Sequence, residues 1–224
     1  GLLNDIRPLD EKLLQTTVQR FVALAADPTK GDSPLAGTVP TPSLRVDADN
    51  GAALMKQLEL PEGPAVALMP GAEYGPAKQW PIEHFGALAM ELAKAGVQTW
   101  IFGSAKEVPL GEQVRIASGM AAVNLCGKTQ LADVVDLAAR SRAVVSNDSG
   151  LMHVAAAAGV PVVALYGSST PDFTPPLTER KRVHYLRLEC SPCFQRTCPL
   201  FHYNCLRQIA PAAVRESLKE LAGV

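Results

Sequence analysis

The chain has 224 residues, 47% of them hydrophobic and 19% charged, with a formal net charge of -1. This is the composition of a globular protein long enough to bury a core, and it offers no basic field for nucleic acid. No apolar run approaches the roughly 20 residues that span a bilayer, and the opening GLLNDIRPLDEK is too mixed and charged for a signal peptide, so a cytoplasmic location is expected.

In chain order, residues 10–26 place Leu13, Leu14, Val18, Phe21, Val22 and Ala25 on one helical face, with Asp10 as the expected N-cap. Residues 27–43 carry four prolines and two glycines and read as a linker. A short helix is expected near 50–58. From residue 64 strands and helices alternate. AVALM (65–69) is an apolar strand, 82–96 a helix ended by Gly96, and 97–103 a strand. Then come a helix over 107–119, a strand over 122–127 and a helix over 131–141. AVVSN (143–147), the helix SGLMHVAAAAG and the strand PVVALYG follow. VHYLRL (183–188) reads as a last strand and residues 210–223 as a closing amphipathic helix. Such alternation means an α/β fold, a parallel sheet with helices on both faces. No GxGxxG follows the first strand and no GxxxxGK[ST] occurs, which argues against dinucleotide-binding and P-loop readings.

The chemistry gathers at strand ends, where open α/β sheets bind ligands. After the first strand, Gly71 and Gly75 allow close backbone approach, Lys78 offers a point charge for a diphosphate, and Pro81 suits the first turn of a helix. After the second, Glu107 can accept both hydroxyls of a ribose; its plainer reading is a helix-start carboxylate. After the third, Gly127 and Lys128 border the same crevice, and Thr129 is an N-cap for the 131–141 helix. After the fourth, SNDSG supplies Asp148, Ser149 and Gly150 at a helix N-terminus, where Asp148 or Ser149 is expected to cap. Free N–H groups there favour a phosphate, while Asp148, which repels phosphate, suits sugar hydroxyls. His153 lies one turn on from Ser149 and reads as support behind the ligand contacts. The coincidence of four such ends suggests a sugar-phosphate ligand.

Five cysteines, an odd number with four of them late in the chain, do not suggest a secreted disulfide scaffold. Cys190 and Cys193 have the C-x2-C spacing of zinc sites. Cys198 and Cys205, with His202 nearby, follow at a spacing that fits no standard finger, so buried thiols around a loop-rich segment are the favoured reading over a zinc site or disulfides. Arg180-Lys181-Arg182 reads as a solvated charge run.

Together, MPGAEYGPAKQWP (69–81), FGSAKE (102–107), LCGKTQL (125–131), SNDSGLMHVAAAAGVPVVALYG (146–167) and CSPCFQRTCPLFHYNC (190–205) resemble the bacterial heptosyltransferases, glycosyltransferase family 9. The resemblance covers essentially the whole chain. It implies a GT-B fold of two Rossmann-like domains, with residues 46–224 as the C-terminal ADP-heptose-binding domain. Residues 1–45 would be the remnant of an N-terminal acceptor domain and its connection. The opening on Gly1, within a half-apolar segment, fits a chain that upstream sequence precedes, and also tag removal.

The implied reaction is inverting transfer of heptose from ADP-L-glycero-D-manno-heptose to the lipopolysaccharide inner core. The nucleotide-sugar donor and the lipopolysaccharide acceptor would be the partners, with peripheral contact at the inner-membrane face and no nucleic acid. No cofactor or metal is expected beyond the donor. By resemblance Lys78 contacts the diphosphate, Glu107 the ribose and Asp148 the heptose hydroxyls, and the Ser149 and Gly150 backbone approaches the phosphates. Gly71, Lys128 and Thr129 complete the expected donor site. The catalytic base is expected in the N-terminal domain, so the isolated chain is expected to be inactive. The alternatives are a nucleotide-sugar epimerase of GT-B fold and a non-catalytic nucleotide- or metal-binding module.

Overall fold

The computed structural model describes residues 6–26 and 39–224. Six strands form one sheet: β1 (Ala65–Met69), β2 (Gln98–Ile101), β3 (Ala122–Asn124), β4 (Ala143–Asn147), β5 (Val162–Tyr166) and β6 (Lys181–Tyr185). Every pairing is parallel and the order is β3-β2-β1-β4-β5-β6. The helices are α1 (Thr17–Ala23), α2 (Ala48–Gln57), α3 (Ile82–Lys94), α4 (Val108–Ala117), α5 (Leu131–Ala138), α6 (Gly150–Ala157), α7 (Asn204–Arg207) and α8 (Pro211–Ala222).

The central strands β1 and β5 are apolar throughout, and β4 as far as Val145, because both faces are covered. Ala65, Ala67 and Met69 of β1 join a core with Leu54 and Met55 of α2, Leu137 of α5 and Met152 of α6. Val66 and Leu68 point the other way, into a core with Phe85, Leu88 and Leu92 of α3, Val114 of α4 and Leu218 of α8. The order of strand addition reverses between β1 and β4, with all strands still parallel. The loops leaving those two strands diverge to opposite faces and open a crevice, the usual ligand position in such sheets.

The helix expected over 10–26 is shorter. Asp10 caps only a turn, its carboxylate accepting from the Lys12 and Leu13 N–H groups at 3.0 and 3.1 Å. The helix begins after Thr16, which forms a reciprocal capping box with Gln19. This helix docks through the Thr17 N–H on the Phe173 carbonyl and Arg20 over the Phe173 ring. Of the expected linker, residues 27–38 lie outside the described residues, and 39–43 carry no regular structure. The last strand starts two residues earlier than read, at Lys181, and α7 was not read at all. Among the described residues no helix is long and apolar enough to cross a membrane.

Candidate functional site

The register of β1 against β4, Met69 opposite Ser146, sets the loops after both strands side by side. Asn147, fully buried, ties them together. Its Oδ1 accepts the Trp80 N–H at 2.9 Å and its Nδ2 donates to the Pro70 carbonyl at 2.7 Å. The whole 70–80 loop is thereby pinned at both ends to one side chain. Trp80 is anchored again through its ring N–H on the Ile209 carbonyl at 2.9 Å. Pro81 takes the N-cap position of α3 rather than its first turn.

Within this loop a 3-10 turn, Pro76–Lys78, presents Lys78. Its ammonium lies 2.5 Å from Asp148 Oδ2, with the side chains 19% and 5% exposed. The same oxygen accepts from Ser169 Oγ at 2.6 Å, and Oδ1 from Thr174 Oγ1 at 3.3 Å. Lys78, Ser169 and Thr174 thus fix the Asp148 carboxylate in place, and a carboxylate has acceptor capacity for a further donor. Lys78 has three donors, of which one serves Asp148, and its ammonium also lies 5.2 Å from the centre of the Tyr74 ring.

Neither expected cap of α6 is made. Ser149 occupies the N-cap position, but no side chain caps the helix. Its hydroxyl turns to Ser146 Oγ at 3.3 Å, and Asp148 is committed to Lys78. The first-turn N–H groups keep their affinity for an anion, and a Cβ on Gly150 would meet open space. His153, half-buried, has its imidazole pKa lowered by burial, opposed by Asp148 and reinforced by Lys78.

At the β2 end Glu107 makes the plainer of its two expected contacts. Its Oε2 accepts the Ser104 N–H at 2.7 Å. Its Oε1 lies so close over Gly71 that a Cβ there would stand 1.7 Å away. The β1 and β2 loops thus meet where Gly71 and Glu107 were expected to share a ligand. Burial, then the Glu107 charge, pushes the Cys126 thiol up to about 12. At the β3 end Lys128 is exposed. Thr129 is not the N-cap of α5. Gln130 takes that position, its N–H donating to Asp133 Oδ2 at 2.8 Å, and the Thr129 hydroxyl is buried without a partner.

A fifth strand end was missed. Gly167-Ser168-Ser169-Thr170 after β5 supplies Ser169, and Thr174 follows in the same loop. The signal was available, since GSST closes a strand as SNDSG does. Tyr74 and Arg196 were also missed: the Tyr74 hydroxyl donates to the Phe194 carbonyl at 2.6 Å, and Arg196 Nε donates to the Tyr74 carbonyl at 2.7 Å.

The chain resembles known proteins over most of its length. The profile of glycosyltransferase family 9 (heptosyltransferase) matches residues 1–204. The chain is 41% identical to lipopolysaccharide heptosyltransferase 2 of Escherichia coli K12, over 99% of the chain and 66% of that protein. It is 44% identical to lipooligosaccharide heptosyltransferase 2 of Haemophilus influenzae, over 81% and 55%. The solved E. coli ADP-heptose LPS heptosyltransferase II superposes with a TM-score of 0.87 at 40% identity, covering 99% of the chain and 66% of that structure. The chain thus spans just under two thirds of the E. coli relative it matches. The epimerase and non-catalytic alternatives gain nothing from these relatives.

Proposed function

The chain belongs to glycosyltransferase family 9, and on that premise we propose that its sheet edge binds the donor of a heptosyltransferase. The donor is ADP-L-glycero-D-manno-heptose and the acceptor the lipopolysaccharide inner core, with inversion at the anomeric carbon. The names of the relatives support this reading, and the observation that carries it is the Lys78–Asp148 pair beside an uncapped α6. A diphosphate needs fixed positive charge and N–H donors; Lys78 has two donors to spare and α6 presents its N-terminus. Asp148, held by Ser169 and Thr174, is the acceptor for sugar hydroxyls, and Glu107 at Gly71 lies on the ribose side. Lys128 and Thr129 line the far rim. Catalysis would come from positioning and from stabilising the leaving ADP, with the attacking hydroxyl activated by a base from the acceptor side.

Residues 1–45 read best as part of the acceptor side and its connection, and 46–224 as the donor domain. The exposed Ile6, Phe21 and Leu24 support that division, since they offer apolar surface to another body. Peripheral contact with an acceptor-bearing membrane face belongs to the same proposal.

Thermal unfolding with added nucleotides tests it. A ligand of the native state raises stability by RT ln(1 + [L]/Kd). ADP-heptose and ADP should raise the melting temperature, and UDP- or GDP-sugars should not. Indifference to ADP-heptose would remove the reading.

A further inference from the structure

Between β6 and α7 the chain runs through residues 186–203 without a helix or strand. Irregular segments of that length in compact domains are usually mobile or functional. This one is tied down along its length. Ser191 Oγ donates to the Gly167 carbonyl at 2.5 Å, the Phe194 N–H to the Ser168 carbonyl at 2.7 Å, and the Ala77 N–H to the Arg196 carbonyl at 3.0 Å. At its centre is a small, partly open void of about 20 Å³, whose wall includes Cys190, Cys193, Cys198, Cys205, Ser168 and Ala77.

Four of the five cysteines of the chain thus face one atom-sized space, and all four are free thiols. The void is too small for a sugar or nucleotide. A water there would need two to four polar partners. The polar groups of the wall are the weakly bonding thiols, the Ser168 hydroxyl, which is buried and has no partner, Tyr203, and His202, whose Nδ1 already accepts the Asn204 N–H at 3.0 Å. No group of three or more His, Cys, Asp or Glu among the described residues is set to hold a metal ion as it stands, so binding must draw the four sulfurs inward. A soft divalent cation supplies that pull. It displaces the protons and draws four thiolates to about 2.3 Å in a tetrahedron.

We propose that Cys190, Cys193, Cys198 and Cys205 bind one zinc ion as a structural centre that fixes the 186–203 segment. Four sulfur ligands leave no open coordination position, so the role is structural rather than catalytic. The centre also braces the donor loop. Ala77 forms part of its wall, and Lys78 is the next residue. Gly75, at φ 149°, lies so close to the Arg196 carbonyl that a Cβ would stand 2.5 Å from it. The bracing role rests on the donor-site reading above; metal binding does not.

Elemental analysis of the purified chain from zinc-supplemented growth should find one zinc per chain. Cobalt(II) added to the metal-free chain should give the intense visible bands and thiolate charge transfer of a tetrahedral sulfur site. Cys193→Ser should lose more than the roughly 10–100-fold in metal affinity that outer-shell changes cost, while Cys126→Ser, outside the cluster, should keep it. A wild-type chain without stoichiometric metal, a cobalt spectrum lacking these features, or disulfides among the four would overturn the proposal. The cobalt spectrum of the wild type decides this even if the variant fails to fold. Loss of ADP affinity on zinc removal would support the bracing role. Unchanged affinity would overturn that role alone, and no ADP binding with zinc in place would count against the donor site instead.

Discussion

The Lys78 ammonium meets the Asp148 carboxylate at 2.5 Å across 70 residues of chain. The two come from the loops on either side of the point where the strand order reverses, after β1 and after β4. Since Asp148 is 6% exposed, removing its cation leaves a nearly buried carboxylate with two hydroxyl donors only. Lys78→Met should therefore destabilise the chain by about 1–3 kcal/mol, the cost of an undersatisfied buried polar group. Asp148→Asn should cost less, because Lys78 can turn toward solvent. Urea unfolding gives both values, and equal costs would contradict this ordering.

Asn147 carries the loop that carries Lys78. Asn147→Ala should cost about 2–4 kcal/mol, because the Trp80 N–H and the Pro70 carbonyl both lose their partner in a buried place. ADP affinity should fall with it, as the 70–80 loop is freed. A stable variant with wild-type affinity would show that the Trp80 ring contact with Ile209 suffices to hold the loop.

Two glycines should respond differently to the same methyl group. In α3, a Cβ on Gly86 would lie 2.6 Å from the Ala117 backbone carbon, where α4 packs against it. Gly86→Ala should cost about 1–3 kcal/mol as overpacking, despite the helix propensity it gains. At Gly71 the obstacle is the far end of the flexible Glu107 side chain. Gly71→Ala should cost only about 1 kcal/mol, the worth of the displaced hydrogen bond to Ser104, and next to nothing once Glu107 is Ala. A double-mutant cycle measures that coupling.

His184 sets an acid limb. Its Nε2 lies 2.9 Å from Ser217 Oγ, and burial lowers its pKa from the ordinary 6.5. The unfolded chain takes up the proton more readily, so stability is intact above pH 6.5 and is lost as pH falls below it toward the folded-state value. His153 has the same sign. Each contributes at most about 1.4 kcal/mol per pH unit. His184→Gln should flatten the decline in melting temperature on the acid side, and an unchanged slope would assign that limb to other groups.

Much of this was legible in the sequence. The runs 65–69, 143–145 and 162–166 are buried on both faces, and their unbroken apolar character said so. The turn chemistry at Gly96 and SNDSG placed the helices that follow each strand. Less legible was whatever depends on two distant segments meeting. Lys78 and Asp148 each read as donor-site residues. Their pairing depends on β1 lying beside β4, which no local pattern encodes. Thr129 looked like a cap because Thr favours that role, but Gln130 and Asp133 won the position with a reciprocal box. Asp10 looked like the start of a helix for the same reason, and Thr16 with Gln19 took it. Cys190 and Cys193 had the spacing of a zinc pair, but Cys198 and Cys205 fit no standard finger, and only the fold brings all four around one void.

Calorimetric titration of ADP and of ADP-heptose into the wild-type chain, Lys78→Met and Asp148→Asn tests the donor site most directly. The wild type should bind both ligands. Lys78→Met should weaken both by about 10-fold or more, the worth of a charge-assisted hydrogen bond. Asp148→Asn should weaken ADP-heptose alone and bind ADP no less well. Absence of binding by the wild type, or wild-type affinity for ADP-heptose in both variants, would contradict the account.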